Sequence, residues 1–232
     1  MRITPPPIRV HNDQAPQRGD KLPTYSQESP IEIWRVFIAV ELPADLRTRI
    51  IDHVDHLRSA VPEARASWSR KDNLHLTLKF LGDVPFTKVE QLSAAAASAA
   101  GKVEPFEIVV EDCGAFPPKG QPRVLWIGIL SEPPAVAGGP DPSLSSLYSL
   151  HTALEDECAN AGFAREPRVF HPHLTIARIR QPRGSRQLAA KHQESGFNRE
   201  IVGVSEISVI RSELRSEGSK HTVISRHGLQ QE

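Results

Sequence analysis

Two short stretches of the chain each place a histidine and a threonine two residues apart. They are "NLHLTLKFLG", residues 73–82, and "HPHLTIARIR", residues 171–180. Side chains alternate between the two faces of a β-strand, so His75 and Thr77 share one face, as do His173 and Thr175 on the second strand. An imidazole with a pKa of about 6.5 can take or give a proton near neutral pH, and a threonine hydroxyl can donate to a phosphate oxygen. Two such pairs predict acid–base chemistry at a phosphodiester without a metal.

The two histidine strands follow similar runs of sequence, which indicates an internal repeat. "RVFIAVEL" from Arg35 and "RVLWIGIL" from Arg123 are each followed by a helical pattern and then by the His-Leu-Thr strand. The second copy is longer by about the length of a Pro- and Gly-rich loop, predicted at 131–143. We therefore expect duplicated strand–helix–strand units over about 35–82 and 123–180, related by a pseudo-twofold axis that brings the two polar faces together across a groove.

Hydrophobic periodicity predicts the remaining elements. The expected strands span residues 34–42, 106–112, 123–130, 204–214 and 220–229, and the last two join through a turn at 217–219. Amphipathic helices are expected at about 44–58, from Thr87 to Gly101 and at about 144–161, and Thr87 and Glu90 have capping-box spacing. Antiparallel-type strands with helices on one face of each sheet predict an α+β fold.

The overall composition limits the classes of function. The chain has 232 residues with 28 basic and 28 acidic side chains, so no global field attracts nucleic acid or an anionic membrane. A local basic patch is the alternative, because residues 164–186 carry six arginines against one acid. The two cysteines, Cys113 and Cys158, have no CxxC spacing, which argues against a disulfide framework or a thiolate zinc site and fits a reducing compartment.

The first 33 residues are rich in Pro, Gln, Asp and Ser, and we predict a flexible tail there, followed by a single domain over 34–232. This segment has no apolar core typical of a signal peptide, and nowhere do 18 apolar residues run together. We therefore expect a cytoplasmic protein that makes no use of a membrane. No obligate protein partner is evident from the sequence.

The two histidine motifs, taken with their context, resemble a known family. "HLTL" at His75 and "HLTI" at His173 resemble the paired HxTx motifs of the 2H phosphoesterase superfamily. "FIAVELP", "RVLWIGI", "FHPHLTIARI" and "SELRSEG" narrow the resemblance to the RNA 2′,3′-cyclic phosphodiesterase family, also called the 2′-5′ RNA ligase family. The resemblance covers about residues 34–225. One HxTx motif is common by chance, whereas two in order within matching strands are a strong signal.

This resemblance implies a bilobal α+β fold, with an antiparallel sheet and helices in each lobe and the active site in a central cleft. It also implies that an RNA 2′,3′-cyclic phosphate end, or a small cyclic nucleotide, is hydrolysed to a 2′-phosphomonoester without a metal or another cofactor. By motif position, His75 is the proton donor to the departing O3′ and His173 is the base that activates water. Thr77, Thr175 and Arg178 are the implied phosphate-binding residues.

Two positions depart from the simple pattern. By strict alternation Arg178 lies on the face opposite His173, so it reaches the cleft only if the strand twists, bulges or ends there. His221 stands where the family often has a tyrosine, after the "SELRSEG" turn, which leaves its contact with substrate open.

Alternation also predicts the face on which the residues near the first motif lie. It places Lys79 on the face of His75, and it places Phe80 with the leucines, which predicts core packing for Phe80. Trp68 is then the better candidate for stacking on a nucleobase.

Several other interpretations stay open at this point. His171 and His173 form HxH, which could bind zinc with a third ligand, and His53 and His56 lie one helical turn apart, although most such histidines are surface or core residues. The same two catalytic histidines could also run the reverse reaction, joining a cyclic phosphate end to a 5′-hydroxyl as an RNA ligase. The third alternative is a non-catalytic RNA-binding module, which two intact HxTx motifs disfavour.

Overall fold

The computed structural model describes residues 31–131, 146–216 and 218–230, with the side chain of Ser131 excepted. Most of the predicted tail over 1–33, nearly all of the predicted loop at 131–143 and Glu217 of the predicted turn therefore lie outside the described residues. The first strand begins at Ile33, one residue before the predicted start.

The described residues form nine strands and four α-helices. The strands are β1 (Ile33–Glu41), β2 (Ala66–Trp68), β3 (His75–Pro85), β4 (Phe106–Phe116), β5 (Val124–Ser131), β6 (His173–Ile179), β7 (Glu200–Val204), β8 (Glu206–Arg215) and β9 (Gly218–Gly228). The helices are α1 (Ala44–Ala60), α2 (Val89–Ala100), α3 (Ser146–Asn160) and α4 (Ser185–Ser195). No helix among these is both long and apolar enough to cross a membrane.

The strands form two sheets, with the orders β3-β1-β8-β9 and β2-β6-β5-β4-β7. Every strand pairing in both sheets is antiparallel. In each sheet the strand with the histidine motif pairs with the strand that precedes it in the repeat, β3 with β1 and β6 with β5. The predicted α+β fold with an antiparallel sheet in each lobe is confirmed.

The strand pairing of the two expected copies differs by one residue from the alignment that their similar sequences suggest. His75 pairs with Glu41, which is 41 − 35 = 6 residues beyond Arg35. His173 pairs with Gly128, which is 128 − 123 = 5 residues beyond Arg123. Similar letters in the two opening strands therefore do not occupy equivalent positions.

A single hydrophobic core lies behind both histidine strands. Leu76 and Leu78 of β3 belong to the same buried cluster as Leu174 and Ile176 of β6. The helical periodicities are also confirmed, because the predicted residues are buried: Leu46, Ile50, Val54 and Leu57 in α1, and Leu147, Leu150, Leu154 and Cys158 in α3, where Glu155 is buried as well.

The start of α2 and three short elements differ from the sequence prediction. A 3₁₀ turn over Phe86–Lys88 precedes α2, and the residue at its N-terminus is Lys88 with no side-chain cap, so the capping box of Thr87 and Glu90 was wrong. Strands β2 and β7 and helix α4 were not predicted. The first two are three and five residues long, too short for a clear periodicity, and α4 has few apolar residues.

One buried ion pair ties the first sheet to α3. The Lys79 Nζ lies 2.7 Å from Glu155 Oε1 and also donates to the carbonyl oxygen of Ala164 at 2.9 Å. The second carboxylate oxygen of Glu155 accepts from the backbone N–H of Glu166. Lys79 and Glu155 are only 2% and 7% exposed, so this pair belongs to the interior rather than to the surface.

Candidate active site

A β-bulge in β3 decides which side chains accompany His75. Thr77 pairs with Ala39 and Lys79 with Ile38, so Leu78 is an extra residue on this strand. An extra residue reverses the alternation beyond it. The predictions for Lys79 and Phe80 were therefore wrong: Lys79 is buried with the core, and Phe80, 42% exposed, lies on the face of His75 and Thr77.

The second motif has the same irregularity, and it brings Arg178 to the face of His173. Thr175 pairs with Trp126 and Ala177 with Leu125, so Ile176 is the extra residue in β6. Ala177 is consequently buried, and Arg178 is exposed on the side of His173. Arg178 is close enough to contribute to lowering the pKa of His173. The bulge that strict alternation required for Arg178 is thus present.

His75 is held by a hydrogen bond to the backbone just before its strand. Its Nδ1 lies 2.7 Å from the carbonyl oxygen of Asn73, and its Nε2 lies 3.0 Å from the Thr77 hydroxyl. A carbonyl oxygen only accepts, so Nδ1 carries the proton, and in the neutral ring Nε2 accepts from Thr77. This contact fixes the tautomer and presents Nε2 to the motif threonine.

His173 is held in the same way in the other half of the molecule. Its Nδ1 lies 2.6 Å from the carbonyl oxygen of His171, again two residues earlier. The Nε2 of His173 is therefore the unprotonated nitrogen of the neutral ring. Both halves orient their imidazole through one short local hydrogen bond.

Burial keeps both imidazoles neutral at pH 7. It lowers the pKa of His75 to about 4, while the hydrogen bond to Asn73 raises this pKa and the neighbouring His221 lowers it. Burial likewise lowers the pKa of His173; its bond to His171 opposes this shift, and the charge of Arg178 adds to it. An anion bound between the two rings would favour their protonated forms and move both pKa values upward.

A short segment before β3 connects the two histidine strands. The hydroxyl of Ser69 donates to the carbonyl oxygen of Thr175 at 2.7 Å, and the Ser69 N–H donates to that of Ile176 at 2.8 Å. Four residues later the side-chain amide of Asn73 donates to the carbonyl oxygen of Ser219 in β9. Strands β3 and β6 also contact each other directly. Because both strands place their aliphatic side chains in the shared core, both His-Thr pairs project away from it.

Aromatic side chains support each imidazole. Phe37 stacks on His75 with ring centroids 4.6 Å apart and an interplanar angle of 26°, and His221 lies edge-on to His75 at 5.3 Å. On the other sheet Phe116 contacts His173 edge-on at 5.2 Å. His221, at the position where the related family often has a tyrosine, is therefore part of the site.

A small cavity of about 60 Å³ opens beside His75, and sequence reasoning missed most of its residues. The lining residues are Glu41, Arg47, Asp72, Leu74, His75, Ile210, His221 and Val223. Arg47 adds a cation to the cavity that His75 lines. It belongs to the polar side of α1, where an arginine is ordinary, so no sequence signal singled it out.

Trp68 lies on a different face from the predicted phosphate-binding residues. It pairs with the buried Ala177, whereas its neighbour Ser67 pairs with Arg178. Directly paired residues of antiparallel strands project to the same side. The half-buried Trp68 accordingly packs against the core, which argues against base stacking by this residue.

Two histidine pairs suggested a metal site from the sequence, His171 with His173 and His53 with His56. In the described part of the chain, neither pair lies together in a group of three ligands. The group of His, Cys and acidic ligand atoms within 4.8 Å of one another consists of His53, Cys113 and His192. His171 and His173 do not belong to it, and neither does His56.

Comparisons with known proteins agree with this architecture. The profile of the family described as LigT-like phosphoesterase matches residues 40–126 and 139–220. An RNA 2′,3′-cyclic phosphodiesterase of Methanothermobacter thermautotrophicus is 34% identical over 193 residues, which are 81% of this chain and 95% of the relative. A protein of the same name from Escherichia coli is 31% identical over 201 residues, 85% of this chain and 97% of the relative.

A solved structure agrees as well. The crystal structure of E. coli LigT complexed with 3′-AMP superimposes with a TM-score of 0.61 at 28% identity, covering 86% of this chain and all of that one. These matches confirm the family and the enzyme class that the two HxTx motifs predicted. The chain therefore belongs to the LigT-like phosphoesterase family.

Proposed function

We propose that the protein hydrolyses RNA 2′,3′-cyclic phosphate ends, or small cyclic nucleotides, to 2′-phosphomonoesters by two-histidine acid–base catalysis that needs no metal. The observation that carries this proposal is the matched orientation of His75 and His173, whose Nδ1 atoms both bond the carbonyl oxygen two residues earlier. The relatives named RNA 2′,3′-cyclic phosphodiesterase support the substrate class.

In the proposed reaction His173 is the base and His75 is the acid. His173 Nε2 accepts a proton from water while the water oxygen bonds to phosphorus. The bond between phosphorus and O3′ breaks, and protonated His75 donates its Nε2 proton to O3′. One proton enters through His173 and one leaves through His75, so a proton exchange with solvent restores the starting state.

The threonines and Arg178 would bind the non-bridging phosphate oxygens. In the free protein the Thr77 hydroxyl lies 3.0 Å from His75 Nε2 and donates to it while the ring is neutral. Once His75 is protonated, Nε2 becomes a donor and the Thr77 proton is free to turn to a phosphate oxygen. Thr175 occupies the matching position beside His173, and Arg178 adds a charge-assisted hydrogen bond.

Phe80 replaces Trp68 as the candidate for stacking on a nucleobase. Phe80 is 42% exposed on the face of His75. Its ring stacks on Phe37 with centroids 6.4 Å apart, and the guanidinium carbon of Arg35 lies 5.1 Å from its centroid. Such a platform accepts any base, because each base presents a π-face.

The lowered histidine pKa values predict an acidic optimum for kcat/KM. The active free enzyme carries one proton on the pair, one ring charged and one neutral. Since the pKa of His75 is about 4 and that of His173 is also below its usual range, this form declines as pH rises above the higher of the two values. We expect the maximum of kcat/KM below about pH 6.5, with a decline of about tenfold per pH unit on the basic side.

A pH profile of kcat/KM on a cyclic nucleotide measures this directly. His227→Gln is a matched control, because burial lowers the pKa of His227 too, yet its ring bonds Ser93 and Ser225 and takes no part in the proposed chemistry. This variant should keep the wild-type profile. A wild-type kcat/KM that stays level between pH 6.5 and 8 would contradict the assignment.

Arg178 provides a second test of phosphate binding. We expect Arg178→Gln to lower kcat/KM by roughly 10- to 100-fold, since a hydrogen bond to a charged group contributes about 1.5–3 kcal/mol. Arg180→Gln is the control, because the Nε of Arg180 donates to Ser67 Oγ. Steady-state kinetics on the same cyclic nucleotide should separate the two variants, and an equal loss in both would remove the specific role of Arg178.

The proposed activity is tested with a short RNA that ends in a 2′,3′-cyclic phosphate, incubated with the protein in EDTA. Loss of the cyclic end is the expected result. An added RNA with a 5′-hydroxyl separates hydrolysis from ligation, because only ligation would lengthen the chain. Binding of the RNA with persistence of the cyclic end would favour the non-catalytic RNA-binding module instead. The cytoplasmic location and the independence from a partner protein stay predictions.

A further inference from the structure

A second cluster of reactive side chains lies apart from the two histidine motifs. His53 of α1, Cys113 of β4 and His192 of α4 each offer a ligand atom, and these three atoms all lie within 4.8 Å of one another. Cys113 pairs with Ile127, whose side chain is fully buried in the core. The cluster therefore lies on the helix-covered side of the second sheet, and the proposed hydrolysis does not use it.

His192 is oriented as metal-binding histidines are. It is fully buried, and its Nε2 donates to the backbone carbonyl oxygen of Trp126 at 2.9 Å. Since Nε2 holds the proton, the lone pair of the neutral ring is on Nδ1, which lies 2.9 Å from His53 Nε2. Metal-binding imidazoles typically donate their other N–H to a carbonyl or carboxylate in this way, which fixes the tautomer and the ring plane.

The backbone of β4 is irregular at the residue that precedes the thiol. Glu111 pairs with Gly128 and Cys113 with Ile127, so Asp112 is an extra residue, and it has a left-handed φ of 65°. Such a conformation in a non-glycine residue is costly and is found more often beside functional sites. The bulge aims the half-buried Cys113 at the helices, towards the two imidazoles.

A cavity gives access to this cluster from outside. It has a volume of about 280 Å³ and is lined by His53 together with residues of α1 and of the segment after α4, among them Asp52, Phe197 and Asn198. His192 is fully buried and Cys113 is half-buried, and His53 is the cluster member that lines this opening. An ion can therefore enter beside His53, and a fourth ligand such as water can approach from the cavity.

We propose that His53, Cys113 and His192 form a binding site for one zinc-type ion, with an open fourth position facing the cavity. Two imidazole nitrogens and one thiolate are a ligand set that suits Zn²⁺. Bond lengths of about 2.0–2.1 Å to nitrogen and 2.3 Å to sulfur place tetrahedral ligand atoms roughly 3.3–3.6 Å apart. The imidazoles must therefore separate slightly, and the sulfur must approach by about 1.2 Å at most.

Metal binding at this site would release one proton and change the tautomer of one histidine. The Cys113 thiol loses its proton to solvent when the sulfur–metal bond forms. His53 moves its proton from Nε2 to Nδ1, which frees the nitrogen that faces His192.

The bound ion would join three elements that come from distant parts of the chain. His53 lies in α1, Cys113 in β4 and His192 in α4. The ion would therefore cross-link both helices to this strand. The site and the proposed hydrolysis are independent, because the latter is expected to continue in EDTA.

Cobalt provides the direct test, because a thiolate bound to Co²⁺ absorbs in the near ultraviolet. The full-length protein is freed of metal with a chelator, dialysed and titrated with Co²⁺. We expect saturation at one equivalent with a sulfur-to-cobalt charge-transfer band, and Zn²⁺ should displace this band. At 100-fold excess over Kd, Zn²⁺ should raise Tm by about 5 °C or more.

Cys113→Ser and Cys158→Ser form a matched pair of variants. Cys158 is the other free thiol, buried on α3 among core leucines, so Cys158→Ser should keep the cobalt band while Cys113→Ser should lose it. His56→Gln, one turn from His53 and outside the cluster, should also keep it. Absence of the band in the wild-type protein, or its persistence in Cys113→Ser, would overturn the proposal, as it would leave the cluster as a plain hydrogen-bonded histidine pair beside a thiol.

Discussion

Replacing either His75 or His173 with alanine should lower kcat/KM for hydrolysis of a 2′,3′-cyclic phosphate by roughly 10²- to 10⁴-fold, the usual range for loss of a general acid or base. Both rings project away from the core that Leu76 and Leu174 occupy, so we expect the variants to stay folded. Steady-state kinetics on a cyclic nucleotide and circular dichroism of each variant measure the two expectations separately.

The two variants should also differ in their pH dependence. Removing the acid His75 should abolish the decline of kcat/KM on the basic side, and removing the base His173 should abolish the decline on the acidic side. The reverse result would exchange the two roles while keeping the pair. His227→Ala serves as the control and should keep near wild-type activity, and unfolding of the His75 or His173 variant would instead assign a structural role to that ring.

The largest effect on stability is expected at the buried ion pair of Lys79 and Glu155. Lys79→Met would remove the cation 2.7 Å from the buried Glu155 carboxylate, leaving the Glu166 N–H as its hydrogen-bond donor and His151 Nε2 3.9 Å away. Breaking a buried pair in this way costs about 3–5 kcal/mol, because the remaining charge is uncompensated. Urea unfolding followed by circular dichroism should show a decrease of this size in the free energy of unfolding.

The double variant Lys79→Met/Glu155→Leu distinguishes the effect of an unpaired buried charge from the effect of changed packing. With both charges removed, most of the lost stability should return, since well-packed apolar residues often replace a buried pair at little cost. Arg58→Met provides a surface control, because Arg58 and Asp55 are both more than half exposed and exposed pairs contribute little. If Lys79→Met and Arg58→Met were equally mild, the buried pair would contribute no more to stability than an exposed one.

The alternation of side chains correctly predicted that His75 and Thr77 share a face, but it failed just beyond them. His75 and Thr77 share a face as expected, whereas Lys79 and Phe80 exchange sides because Leu78 is an extra residue in β3. A bulge is defined by the pairing of two strands, so one strand's own sequence does not reveal it. The same feature at Ile176 brought Arg178 to the face of His173.

Similar runs of residues suggested the repeat, but they did not give the register of the strand pairs. The motif residues recur clearly, yet Glu41 and Gly128 face the two histidines at different distances from Arg35 and Arg123. Matching letters in strands reflect a shared preference for aliphatic residues, which a shift of one position leaves intact. Only the hydrogen-bonded partners define equivalent positions.

Residues brought together by tertiary packing escaped the sequence analysis. Local spacing paired His53 with His56, whereas His53 contacts His192 of α4, 139 residues away. Helix α4 itself has the sequence "SRQLAAKHQES" with few apolar residues, so its buried face was not recognised. The clusters around Arg47 and around Cys113 likewise combine elements that no local pattern connects.

The central claim is hydrolysis at the P–O3′ bond by the two histidines without a metal. The most direct test is ³¹P NMR of the products after the protein, in EDTA and ¹⁸O-labelled water, has consumed a nucleoside 2′,3′-cyclic phosphate. We predict a 2′-phosphomonoester as the only product, with one ¹⁸O on phosphorus and no product from the His75→Ala and His173→Ala variants on the same timescale. A 3′-phosphomonoester, or turnover that stops in EDTA and returns with added metal, would contradict the account.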